Sequence, residues 1–406
     1  MKKEISSNPL NIVVIVAALG YFVDIYDLIL FGIVRTPSLT AIGVPLDQMT
    51  EVGAKLMNAQ MLGMLLGGIV WGFLGDKRGR MSTLFMTILL YSLANIANGF
   101  VTSVEQYQWL RLIAGFGLAG ELGIGITLVS EVLSKEHRAW GTGVVTGVGI
   151  AGAVLAFLVS EWGWREAYWV GGVLGLMLLF LRVYVHESGM FDKLKETTAK
   201  RGNFIVVLKS PKKLLRYIAS IFVGLPVWFV VGILIIPSEE FAQALGVTGA
   251  VSGGKAVMLH YMGAAFGSLV TAYISQKLKS RKKALLISIA AMAMLCLWFF
   301  NANGISPFTY YTISFLLGVT MGYWAIFVTV ASEQFGTNIR STVTTTVPNF
   351  VRGGLVLMSI WWLAMKPEYG ILTSAMIVGA VVFAIAIISI FFLEESHGKD
   401  LDYLEE

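Results

Sequence analysis

A single cysteine, Cys296, in a chain of 406 residues excludes an internal disulfide framework. Charge is almost as scarce. Asp, Glu, Lys and Arg make up 14% of the chain against 56% hydrophobic residues, and the mean hydropathy of +0.75 does not suit a soluble domain. The 4 histidines, His137, His186, His260 and His397, are scattered without metal-ligand spacing, and no nucleophile motif accompanies them. No enzymatic activity, cofactor or metal is therefore expected. There is no Asn-x-Ser/Thr acceptor, no low-complexity tract and no candidate soluble domain.

What remains is apolar runs of about twenty residues, the length an α-helix needs to cross roughly 30 Å of hydrocarbon. Backbone groups in lipid must be satisfied internally, and the alternation of a barrel strand is missing, so the runs are read as helices. Twelve are expected, at 10–34, 56–75, 81–101, 107–131, 140–160, 165–185, 214–236, 257–276, 284–301, 308–331, 341–363 and 370–393. The fold class is all-α integral membrane, with twelve transmembrane helices in two pseudo-symmetric six-helix bundles. The longest polar stretch divides them into a first bundle over 1–185, a connection over 186–213, and a second bundle with a short tail over 214–406. Gly63/Gly67, Gly143/Gly147 and Gly171/Gly175 are Gly-xxx-Gly pairs suited to close helix approach.

The pI near 9.1 is a topology signal and needs no nucleic acid to explain it. Most of the 30 Lys and Arg fall at the chain ends or in alternate connections, notably 77–80, 135–138, 193–216 and 277–283. Only Arg35, Lys55, Arg165, Lys255 and Lys366 fall on the other side, and Arg111, Arg182 and Arg352 lie within helices. The positive-inside rule then places both termini and the central connection in the cytoplasm. With no large loop on the opposite face, a bacterial inner membrane is expected, and the partners are lipid, protons and a small solute carried by a monomer. Lys2 and Lys3 before an apolar run imitate a signal peptide. The run is too long and holds Asp24 and Asp27, so it is read as an uncleaved first helix.

Ser130-Glu131-(six residues)-Arg138 in the first half recurs as Ser332-Glu333-(six residues)-Arg340 in the second, each between two apolar runs. A charged signature repeated in both halves is the mark of a parallel duplication around a central path. The connection after the second run, Gly75-Asp76-Lys77-Arg78-Gly79-Arg80, completes the pattern. The whole chain resembles the major facilitator superfamily, and its Glu-x6-Arg repeats resemble the branch of phosphate:proton, aromatic-acid:proton and organic-anion transporters. That resemblance implies a cytoplasmic gate of exchanging salt bridges built from Glu131, Arg138, Glu333 and Arg340. Asp76 belongs to the same loop signature, and Arg80 and Arg281 are the partners it suggests.

Charges inside the membrane are the candidate site, because each costs at least about 2.5–3.5 kcal/mol near the bilayer centre. Asp24 and Asp27, in Gly20-Tyr21-Phe22-Val23-Asp24-Ile25-Tyr26-Asp27, share one helix face at i,i+3 spacing. Two carboxylates close together in low dielectric cannot comfortably both ionise, which is the chemistry of a proton carrier. The string resembles the first helix of phosphate:proton symporters, and an outer helix end near Arg35 is the alternative reading. Glu121 stands ten residues from both Arg111 and Glu131, about 15 Å along a helix from either. It is expected to bind substrate or carry the proton, while Arg111 either meets an acid of the first helix or snorkels outward. Arg352 lies twelve positions past Arg340, about 18 Å deeper. Its guanidinium offers a planar fork that fits a carboxylate or phosphate, unless it only neutralises Glu121 or an aspartate. Tyr21, Gln60, Trp228, His260, Tyr261, Trp324 and Asn349 are further candidates for the substrate cavity.

Departures from the family pattern narrow the expectation. The seventh run has neither the acid of phosphate symporters nor the Gln-Leu-Ser of sugar porters. Gly147 is followed by Val148 rather than by the proline of drug antiporters. The expected function is secondary active uptake of a small organic anion, such as a carboxylate or sugar acid, by proton symport and alternating access. The alternatives are a proton antiporter exporting organic cations and an inorganic phosphate:proton symporter.

Overall fold

A computed structural model describes residues 12–78, 80–121, 138–182, 207 and 210–397. All its regular structure is helical: α1 Ile12–Ala41, α2 Met49–Arg78, α3 Arg80–Asn98, α4 Val104–Leu118, α5 Arg138–Ser160 and α6 Trp164–Arg182 in the first half. The second half holds α7 Pro211–Phe229, a π-helical stretch Val230–Ile235, the short α8 Ser238–Ala244, α9 Gly253–Leu278, α10 Arg281–Asn301, α11 Pro307–Met321, α12 Trp324–Glu333 and α13 Thr337–Ile390. By length and hydropathy 8 helical spans among the described residues suffice to cross a membrane; α11 and α12 together make one of them, and α13 counts once although Gly370, at φ 75°, divides it into two.

Local signals account for many of the boundaries. Ser103, Ser252, Ser280 and Ser306 each cap a helix by accepting a backbone N–H three residues on, which satisfies a donor that the first turn leaves orphaned. Pro307 follows its cap at a position where a missing N–H costs nothing. The first helix runs seven residues past the expected end at 34. Ser38 and Thr40 donate to the carbonyls of Arg35 and Thr36, so polar residues continue a helix whose apolar run has ended. The second helix likewise begins at Met49 rather than near 56. The tenth expected helix is two, α11 and α12, separated at Gly322 and Tyr323.

In the first half α1 packs on α5, α2 on α4 and α3 on α6; in the second α7 packs on α13 and α9 on α11. The halves meet through α2 on α13 and α5 on α9, with α1 also against α9. The duplication is visible in this packing. Gly63 and Gly67 of α2 leave no room for a Cβ against the backbone of Leu112 and Phe116, and Gly263 and Gly267 of α9 repeat the contact on Phe315 and Val319. Backbones this close permit the dispersion contacts that hold helices together where no hydrophobic effect operates.

Candidate functional site

A cavity lies where the halves meet. α1 contributes Tyr21, Ile25 and Leu28, spaced i, i+4, i+7 along one face, and α5 contributes Ile150. Across from them stand Trp228 of α7, Tyr261, Ala264 and Ser268 of α9, Met321, Trp324 and Ala325 around the α11–α12 break, and Arg352 of α13. Among the residues singled out from sequence, Tyr21, Trp228, Tyr261, Trp324 and Arg352 line this cavity. The other liners are small or apolar and carry no chemical flag. Helical spacing from Tyr21 and Tyr261 would have found Ile25, Leu28, Ala264 and Ser268.

Arg352 is 2% exposed. Its guanidinium lies 5.8 Å from the Trp324 ring centroid, within cation–π range. One Nη donates to Asn349 Oδ1 at 3.1 Å, and Nε has no partner. No carboxylate pairs with it among the described residues. Asn349 stands behind the cavity wall and holds the arginine. Its amide donates to the carbonyls of Thr345 and Ala119 at 2.8 Å each, which ties α13 to the end of α4.

The acids lie one layer deeper in the first half. Asp24 and Asp27 are both fully buried. Asp24 and Arg352 both act electrostatically on Tyr21 and on Tyr261, so an acid and a cation are within reach of both cavity phenols. Asp27 is in electrostatic reach of Asp24 and Arg111, with Asn95 bordering it. Arg111 is fully buried, donates to Gln60 Oε1, and lies 5.2 Å from the Phe31 ring and 6.0 Å from that of Tyr168. Gln60 also donates to the Leu28 carbonyl, and therefore links Arg111 to the backbone of a cavity liner without entering the cavity. Tyr107 and Tyr168 close this layer with a 2.6 Å hydroxyl contact. Glu121, 2% exposed, follows directly on the break that ends α4.

His260 is taken up between helices. Nδ1 lies 3.0 Å from the Ser314 carbonyl and Nε2 3.2 Å from Met321 Sδ. Of the residues expected to form a cytoplasmic gate, Arg281 meets Glu333 at 3.5 Å, and Arg340 donates to the carbonyls of Ser332 and Phe335. Glu131 lies outside the described residues, as do the side chains of Asp76, Arg80 and Arg138. The residue that the sequence reading passed over most completely is Glu240, whose ion pair with Arg35 crosses between the halves.

The geometry has counterparts among known proteins. The chain is 27% identical over 95% of its length to a "Probable 4-methylmuconolactone transporter" of Cupriavidus pinatubonensis, 91% of which is covered. It is 26% identical to a "Putative niacin/nicotinamide transporter NiaP" of Bacillus subtilis, over 84% of each chain. The solved proton:xylose symporter XylE superimposes with a TM-score of 0.73 at 15% identity, over 96% of this chain and 97% of that one, which shows a shared fold. The sequence model of the Major Facilitator Superfamily matches residues 15–359, and the chain belongs to that family: a multi-pass membrane protein, not an enzyme, that moves a small organic solute by secondary active transport.

Proposed function

We propose that the protein takes up a small organic anion together with protons. The observation that carries this reading is Arg352, a guanidinium 2% exposed at the wall of the central cavity with no carboxylate partner among the described residues. A buried cation without a counter-charge is costly. An entering carboxylate supplies that charge and meets a fork of donors with its own geometry. The indoles of Trp228 and Trp324 and the rings of Tyr21 and Tyr261 offer apolar faces to the rest of the solute. The names of the relatives, which are those of transporters of small organic metabolites, agree with this reading.

Asp24 and Asp27, with Glu121, carry the proton in this reading. Asp24 is the acid in electrostatic contact with the cavity tyrosines, so its charge state and the anion on Arg352 influence one another through Tyr21 and Tyr261. Basic connections hold both termini in the cytoplasm of a bacterial inner membrane, and the Glu-Arg sets alternate as the inner gate. Uptake into proteoliposomes of monocarboxylates, aromatic acids and sugar acids under an inward proton gradient tests the proposal. Accumulation is expected to vanish when the gradient is dissipated; undiminished accumulation would overturn the coupling.

A further inference from the structure

Among the described cavity liners Met321 alone is a methionine. Its thioether turns about three bonds and carries no strong hydrogen-bonding group, so nothing in its own chemistry fixes its place. His260 fixes it from outside the cavity. The imidazole is fully buried between α9 and α11, with Nε2 3.2 Å from Met321 Sδ and Nδ1 3.0 Å from the Ser314 carbonyl. A carbonyl only accepts, so Nδ1 carries the proton toward Ser314 and Nε2 is the edge presented to the sulfur. Ser314 stands seven residues before Met321 on α11, about 10 Å along the helix, and the ring spans that length as a splint. Gly318, one turn beyond Ser314, is what allows it. A Cβ there would collide with the His260 carbonyl, so only glycine lets α9 approach closely enough for the ring to lie along α11.

We infer that His260 is a positioning residue of the solute site: it holds the Met321 thioether in the cavity wall and so sets the room left for the solute. The splint ends where the wall breaks. α11 stops at Met321, Gly322 and Tyr323 turn the chain, and Trp324 and Ala325 line the cavity from the first turn of α12. The far side of the break is tied down as well, by a 3.0 Å hydrogen bond from the Tyr323 hydroxyl to the Val223 carbonyl of α7. His260 also meets its neighbour Tyr261, another liner, edge to face with ring centroids 6.0 Å apart. A binding side chain keeps its shape for a ligand only where residues behind it lock its rotamer. Without the ring the thioether samples rotamers that reach into the cavity, and solute has to expel it before binding. The inference rests on the reading that this cavity takes the solute; it depends neither on the solute's charge nor on proton coupling.

Two variants separate holding the sulfur from merely filling the gap between helices. His260→Gln sets an amide nitrogen where Nε2 stood, and His260→Asn sets one where Nδ1 stood, so both keep a polar side chain against α11. Purified protein carrying [methyl-13C]methionine gives the Met321 signal by its loss in Met321→Leu. In His260→Asn that signal is expected to move to the position of a freely rotating methionine, and in His260→Gln to stay near its parental place. The signal of Met61, buried on α2 in the first half, stays unmoved in both. Uptake of radiolabelled benzoate into proteoliposomes is the second readout. KM is expected to rise about fivefold in His260→Asn at a nearly parental maximal rate, and to stay close to the parental value in His260→Gln. A parental Met321 signal in His260→Asn, or an equal displacement in the two variants, would overturn the inference, as would a KM that stays put when the signal moves. A parent that takes up no benzoate counts against the anion reading instead, and the methionine signal then decides this inference alone.

Discussion

The closed end of the bundle and its centre each hold a nearly buried arginine, and their surroundings differ in one respect. Arg35, 3% exposed, is met oxygen for nitrogen by Glu240. Arg352, 2% exposed, has an amide and an indole face and no carboxylate among the described residues. A protein that wanted only stability would pair both or replace both with apolar side chains. On the proposed reading, the arginine at the centre is left without a carboxylate so that it can receive a charge that arrives from outside. Arg111 is an intermediate case, fully buried inside the first half, with Gln60, aromatic faces and the field of Asp27 around it.

The comparison breaks most visibly if the central arginine is dispensable. Arg352→Ala is expected to weaken the anion's apparent affinity on the order of 100-fold or more, since two charge-assisted hydrogen bonds are worth roughly 1.5–3 kcal/mol each. Arg352→Lys should recover part of it, because a point charge lacks the fork. Radiolabelled uptake at equal amounts of purified protein measures both, and full activity in Arg352→Ala would favour the cation-export alternative. Arg111→Ala should act on the fold instead. It opens a cavity and leaves Gln60 and Asp27 facing it, at a cost of roughly 3 kcal/mol. Thermal unfolding in detergent is expected to drop by several degrees, with part of the loss recovered in Arg111→Ala/Asp27→Asn.

The sequence made some of this legible and hid the rest for physical reasons. Charges in apolar runs announce themselves, so Arg352, Asp24, Asp27 and Glu121 could be named before any coordinates. Gln60 and His260 were named for their polarity alone. Both occupy repeat-related points of close helix packing, the Gln60 carbonyl against Gly115 and the His260 carbonyl against Gly318, and their side chains are satisfied by neighbouring helices. Ala264 and Ser268 line the cavity by virtue of their place on a helix face, which composition cannot express. Arg35 looked like a loop charge because its apolar run stops at residue 34, whereas hydroxyls returning to the backbone carry α1 on to Ala41. Its partner Glu240 lies 205 residues away, and no local pattern links the two.

The contrast sharpens further at Asn349, which touches the central arginine without lining the cavity. Asn349→Ala removes one hydrogen bond to Arg352 and two that fix the amide to α4 and α13. Arg352 keeps its charge but loses its aim, so KM is expected to rise several-fold with maximal rate nearly intact, a loss of about 1 kcal/mol in binding. Asn349→Asp should act differently. It would supply the carboxylate that Arg352 lacks, turn Arg352 into a second Arg35, and lower uptake at saturating solute as well. Initial rates over a range of solute concentrations separate the two variants.

The smallest expected effect belongs to the paired end and concerns acid. Burial alone would raise the Glu240 carboxyl, but hydrogen bonds and charge from Arg35, with Thr50, outweigh it and hold the group below the usual carboxylate range. A carboxyl lowered in the folded state stabilises fully above its unfolded value and loses that contribution as pH falls through the folded one. The unfolding temperature of the parent should therefore exceed that of Glu240→Gln by a constant margin from pH 8 down to about 5.5, and the margin should shrink only in stronger acid. A margin that already narrows between pH 8 and 6 would mean that Glu240 titrates near neutrality. The end of the bundle would then be as poorly matched as its centre, and the distinction between an arginine met by a carboxylate and one that is not would be lost.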